Sequence, residues 1–169
     1  MGLKTYIIKK GKHYSNHLPR LWFGKKHSLS VKINMDKSCW FKLEEPADYA
    51  INKLVGWSYG YHHHNSIRVG WRPSIDRENW IEFHLYVYTN GARSQHYIDK
   101  VECNIENKLD ITYHPEKSII TYSLHRPIVI SNGYMYAKVK TSWWGYYLFP
   151  YFGGIKTAPT DIKIDLKFE

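Results

Sequence analysis

Apolar and polar side chains alternate with a two-residue period along most of this chain, which predicts strands rather than helices. Over 27–36, Leu29, Val31, Ile33 and Met35 point one way, and Ser28, Ser30, Lys32 and Asn34 point the other. The stretch 80–88 repeats the pattern, with Ile81, Phe83, Leu85 and Val87 opposed to Trp80, Glu82, His84, Tyr86 and Tyr88. Asn90-Gly91 follows, the pair that a two-residue hairpin turn prefers because both positions need positive φ. Closing that turn sets Arg93 across from Tyr88, Gln95 across from Tyr86 and Tyr97 across from His84. Further strands are expected over 5–10, 38–43, 108–114, 118–124, 134–141 and 161–169, with turns at Pro115-Glu116-Lys117 and at Asn132-Gly133. Only 44–52, with Pro46 near a first turn, has a helical reading. The sum is about ten to twelve short strands at sandwich or barrel spacing, a single all-β domain over 1–169.

The chain is organised around 54–72, LVGWSYGYHHHNSIRVGWR, read as an antiparallel hairpin closed by His62-His63-His64-Asn65. That loop pairs Tyr59 with Arg68, Trp57 with Gly70 and Val55 with Arg72, while Gly56 meets Trp71, Ser58 meets Val69 and Gly60 meets Ile67 on the opposite face. Small side chains facing large ones make the second face the packed one. The first face then carries Trp57, Tyr59, Tyr61, Arg68 and Arg72 around the bare backbone of Gly70, and we read it as a recognition surface. A one-residue slip in register would exchange the two faces. Subunit contact and plain packing are the alternative readings.

Composition narrows this picture. With 169 residues and 24 Lys plus Arg against 15 Asp plus Glu, the net charge is +9, so an anionic partner is plausible, though the basic residues form no stripe. Fifteen tyrosines supply broad contact area with a polar tip, suited to sugars, nucleobases and protein surfaces alike. Cys39 and Cys103 are expected to be buried free thiols. The N-terminus lacks the apolar core of about 7 to 15 residues that a signal peptide needs, so export by the usual route is not expected. No run approaches the roughly 20 apolar residues that span a bilayer, and no membrane partner is expected. His62, His63 and His64 diverge in a turn and lack a Cys or acidic partner at a familiar spacing, so no metal site is expected there.

The stretches WGYYLFPYFGGIKTAPTDIKIDL (144–166), INKLVGWSYG with HHHNSIRVGWR, and the YVYTNG turn resemble a group of small phage-encoded and bacterial proteins. Those have the concanavalin A-like jelly-roll fold of lectins, laminin G-like modules, glucanases and alginate lyases. The resemblance spans roughly 51–166. It implies a β-sandwich of two antiparallel sheets, with PYFGG near or on the concave sheet and DIKIDL in a strand closing the sandwich. It also implies a glycan partner, including an acidic polysaccharide, and a virion or host-surface role, either free in the host cytoplasm or in the phage particle. Homo-oligomer or virion-protein contacts would be made through the same face. A structural calcium ion is left open, and no other cofactor is expected.

Glucanases of this fold carry ExDxxE, whose alternating carboxylates stand about 5 Å apart. Here Glu102, Glu106 and Asp110 have the wrong spacing, and Glu82 has no partner two residues away. Alginate-lyase relatives use Arg, Gln, His and Tyr, roles that Arg68 or Arg72, Gln95, His84, and Tyr147 or Tyr151 could fill, although the strings QIH and YFKAG are absent. The leading expectation is therefore non-enzymatic glycan recognition or a surface structural role through Trp57, Tyr59, Tyr61, Arg68, Arg72, His84, Tyr86, Tyr88, Gln95, Tyr97 and Tyr151. A polysaccharide lyase comes second. Single-stranded nucleic-acid binding comes third, because the recognition-module strings are missing.

Overall fold

The computed structural model describes residues 2–169, and among these twelve strands form two six-stranded sheets whose strand pairs are all antiparallel. The back sheet runs β1 (Lys4–Ile8), β12 (Ile162–Phe168), β3 (Ser28–Met35), β8 (Glu106–His114), β9 (Ile119–His125) and β10 (Ile130–Tyr136). The front sheet runs β2 (Arg20–Phe23), β11 (Trp144–Leu148), β4 (Asn52–Ser58), β5 (Ser66–Pro73), β6 (Trp80–Thr89) and β7 (Ala92–Glu102). The alternation that predicted the strands also fills the interior. Val31, Ile33, Leu109 and Ile164 from the back sheet and Trp57, Ile67, Trp71 and Phe83 from the front are fully buried. Each such side chain contributes about 1.5–3 kcal/mol by leaving water.

The Asn90-Gly91 turn forms as expected, with φ of 50° and 85° at its two residues. It pairs Tyr88 with Arg93, Tyr86 with Gln95 and His84 with Tyr97. Pro150–Gly154 joins the front sheet through reciprocal bonds between the backbones of Tyr151 and Lys53, and DIKIDL supplies β12 inside the back sheet. Pro46–Tyr49 makes a 3₁₀ turn whose entry is fixed by the Glu45 N–H donating to Asp48 Oδ2 at 2.9 Å. Cys39 and Cys103 are buried thiols.

Three expectations change. The β4–β5 hairpin pairs Val55 with Val69, Gly56 with Arg68, Trp57 with Ile67 and Ser58 with Ser66, an odd shift from the register read in the sequence. The physical reason is that both apolar series, 55/57 and 67/69/71, turn inward together, and a longer loop allows it: the Tyr59 N–H donates to the Asn65 carbonyl. Asn132-Gly133 is no turn but the middle of β10, where a Cβ on Gly133 would stand 2.3 Å from the Tyr122 hydroxyl oxygen. The chain reverses instead at Arg126–Val129, closed by the Arg126 N–H on the Val129 carbonyl. The 38–43 segment opens with a 3₁₀ turn, Lys37–Cys39, because the Asp36 carboxylate accepts from the Ser38 N–H and starts a helical turn.

Candidate functional site

The registers of β5, β6 and β7 lay four rows of side chains across the outer face of the front sheet, the face turned away from the core. They are Ser66–Tyr88–Arg93, Arg68–Tyr86–Gln95, Gly70–His84–Tyr97 and Arg72–Glu82–Lys100. A bulge in β4 between Lys53 and Val55 adds Lys53 to this face, opposite Gly70. The bulge reverses the alternation, so Lys53 points out although Val55 and Trp57 point in.

The last row is electrically closed. Glu82 Oε2 accepts from Arg72 Nε at 2.7 Å, and its other oxygen lies 3.7 Å from the Lys100 ammonium, which also binds Asp76. His84 Nε2 is 3.5 Å from Glu82 Oε2 without a formed hydrogen bond. Burial, aided by Arg72, pushes the His84 imidazole down to about 4, so it is neutral at physiological pH.

The Arg68 row is electrically open. Arg68 is only 6% exposed, yet its Nε and Nη2 have no hydrogen-bond partner among the described residues. Burial pushes the guanidinium down to about 10, which leaves it a cation. The charged neighbours are of the same sign. Lys53 lies 5.0 Å from the Tyr86 ring centre and 5.9 Å from that of Tyr151, and Arg93 lies 5.9 Å from that of Tyr86. His62 is pushed down to about 4 by burial and then by Arg68, and His63, edge-on to Tyr88 at 5.7 Å, is lowered for the same reasons. Burial opposes ionisation of Tyr86, but contacts from Tyr88, Arg93 and Lys53 carry its phenol below the ordinary tyrosine range.

A second group of rings lies across β4. On β11 and β2, Trp144 pairs with Phe23 and Tyr146 with Leu21. The rings of Tyr61 and Tyr146 meet Trp144 edge-on at 5.8 and 6.0 Å, and Phe23 lies 5.6 Å from Trp143. Tyr61, Phe23 and Trp143 are largely exposed. The outer face thus has a basic, tyrosine-lined half and an aromatic half, with the small residues Gly56 and Ser58 between them.

Of the residues proposed from sequence, the structure brings together Arg68, Arg72, His84, Tyr86, Tyr88, Gln95 and Tyr97, places Tyr151 beside Lys53, and sets Tyr61 against Trp144. Trp57 and Tyr59 do not belong to this surface. Both lie in the core, at 0% and 3% exposure, because the hairpin register turns them inward. Tyr147, opposite Trp57, also faces inward and cannot act with Arg68, His84 and Gln95. Arg72 shares the face but is committed to Glu82. Sequence reasoning missed Lys53, hidden by the bulge, and Trp144 with Tyr146, whose alternation around Gly145 was the available signal. Arg93 was placed opposite Tyr88 but not taken as a site residue.

No protein-family model matches the chain, and no curated protein matches it in sequence. Among solved structures it is similar to a functionally unknown protein from Saccharomyces cerevisiae, with TM-score 0.60 and 11% identity over 99% of this chain and 86% of that one. It is also similar to a GH131 β-glucanase catalytic domain from Podospora anserina, with TM-score 0.54 and 7% identity over 98% and 69% of the two chains. Basic winged bean lectin with Tn-antigen superposes with TM-score 0.49 and 8% identity, over 99% of each chain. The chain is a jelly-roll β-sandwich of the concanavalin A-like class.

Proposed function

We propose that the outer face of the front sheet recognises an acidic glycan, with a uronate carboxylate at Arg68 and neutral sugar rings against Trp144, Tyr146 and Tyr61. The observation that carries this reading is Arg68 itself: a nearly buried guanidinium with two unused donors, surrounded by Lys53 and Arg93 rather than by a carboxylate. Burying a charge without a partner costs several kcal/mol, and a carboxylate that accepts from the guanidinium would offset that cost. The β-glucanase catalytic domain among the structural neighbours agrees with a sugar ligand. The test is calorimetric titration with an alginate or glucuronan hexamer and a neutral cello-oligosaccharide. Binding of the uronate, lost by at least tenfold in Arg68→Gln and weakened by salt, supports the reading. Equal binding of neutral and acidic oligomers by the wild type sinks it, as does no binding at all.

One observation favours a second reading, a polysaccharide lyase. The lowered phenol of Tyr86 lies in the row of Arg68 and Gln95. In β-elimination a tyrosinate takes the C5 proton of a uronate while the C4–O bond breaks, leaving a C4=C5 double bond, and the phenol so formed passes that proton to the departing O4. The same incubations, followed for ultraviolet absorbance of the unsaturated product, decide it. A signal abolished in Tyr86→Phe supports the lyase, and a flat trace rejects it.

A further inference from the structure

The inner side of the front sheet carries a second feature, independent of the Arg68 face. Near β2 and β11 the two layers are separated by a cleft of about 780 Å³, within the range of small-molecule sites. Tyr6, Leu29 and Phe168 from the back sheet, with Tyr147 and Phe149, form apolar walls. The rings are spaced rather than close-packed face to face: Tyr6 lies 5.3 Å from Phe149, tilted by 33°, and Phe149 lies 6.1 Å from Phe168 at 77°.

Three cations, Lys4, Arg20 and Lys26, also line this cleft. The Lys26 ammonium lies 4.9 Å from the Tyr147 ring centre and 5.9 Å from that of Trp57, and it donates to the Ser28 carbonyl at 2.7 Å. Its position is built in. The Tyr59 hydroxyl donates to the Lys26 carbonyl at 2.5 Å, and His27 Nδ1 lies 2.9 Å from the same hydroxyl. Loss of water around the ammonium lowers its basicity. The two acids of the cleft are engaged elsewhere: Glu169 with Lys108 at 2.9 Å, and Asp110 with His125 at 3.2 Å and Lys108 at 3.7 Å. Among the described residues no ion pair involves Lys4, Arg20 or Lys26.

We infer that this cleft binds an amphipathic monoanion, a medium-chain carboxylate whose hydrocarbon lies between the sheets and whose head group meets Lys26 and Arg20. The charge pattern selects this occupant. A neutral lipid would give the cations no counter-charge, and an extended polyanion would bring more negative charge than the three cations match.

The probe is dodecanoate, kept below its micellar concentration and titrated calorimetrically into the full chain, with decanol as the neutral comparator. We expect one site, at least tenfold weaker binding of decanol, and a loss of at least tenfold in dodecanoate affinity in Lys26→Gln. Arg68→Gln should leave dodecanoate binding unchanged. Arg20→Gln, on the strand paired with Tyr147, gives an independent reading if Lys26→Gln folds poorly by circular dichroism, and it too should weaken binding. Absence of binding overturns the inference. So does equal affinity for acid and alcohol, or loss of dodecanoate binding in Arg68→Gln, which would place the fatty acid on the outer face.

Discussion

Arg72 and Arg68 stand four residues apart on one strand and one face, yet only Arg72 has a carboxylate across from it, with Glu82 Oε2 2.7 Å from its Nε. The two arginines should therefore answer mutation in opposite ways. Arg72→Gln leaves the buried Glu82 facing Lys100 and the His84 ring, and should cost about 1–3 kcal/mol in urea-induced unfolding. Arg68→Gln removes a buried charge that lacks a partner, so the melting temperature of the free protein should hold or rise while binding of the uronate oligomer is lost. A large loss of stability in Arg68→Gln would mean that its donors are satisfied within the fold.

Trp57 measures the hairpin register. Truncation to Ala should cost about 3–5 kcal/mol, the ordinary penalty for an aromatic side chain deleted from a core. If the register read from the sequence were correct, the same change would barely alter the urea midpoint and would act on ligand binding instead.

His84 and His62 make stability depend on pH. Both are pushed down to about 4 from 6.5 in the folded chain. Between those values the unfolded state binds protons that the folded state does not, so unfolding free energy rises with pH across this window. The protein should lose stability as pH falls from about 6.5 towards 4, with His84 and His62 both contributing. Urea titrations at several pH values should show this slope. It should flatten in His84→Asn, and a slope of opposite sign would exclude neutral buried imidazoles.

Gly133 is held by one neighbour. A Cβ there would lie 2.3 Å from the Tyr122 hydroxyl oxygen and 2.5 Å from its Cζ, so Gly133→Ala should destabilise by about 1–3 kcal/mol. Tyr122→Leu in the same chain should recover part of the loss. Thermal melts of the four members of the cycle would reveal the coupling, and additive effects would disprove the contact.

How far the sequence could be read depended on whether alternation was interrupted. The β6–β7 rows were legible because Asn90-Gly91 fixes both the turn and the register, which brought Tyr86, Gln95, His84 and Tyr97 into the site without coordinates. The β4–β5 hairpin has no such marker: YGYHHHN admits loops of several lengths, and an odd shift in pairing reversed the face of Trp57 and Tyr59. Asn132-Gly133 shows the converse difficulty, since a good turn pair served instead to make room for a ring on the neighbouring strand. Lys26 and Tyr147 could not be joined from the sequence. They lie 121 positions apart and meet only through the stacking of the two layers.

The bulge at Leu54 makes β4 a strand written in two phases. Were the same residues to alternate regularly with no bulge, Lys53 would follow Val55 and Trp57 into hydrocarbon, and Asn52 would exchange places with it. The positive character of the outer face therefore depends on the path of the backbone at this point as much as on residue type. Deleting position 54 would join Lys53 to Val55 in unbroken alternation, still opposite Gly70 and Val69, at the loss of a buried side chain, whereas conservative replacement of Leu54 would leave both phase and packing untouched.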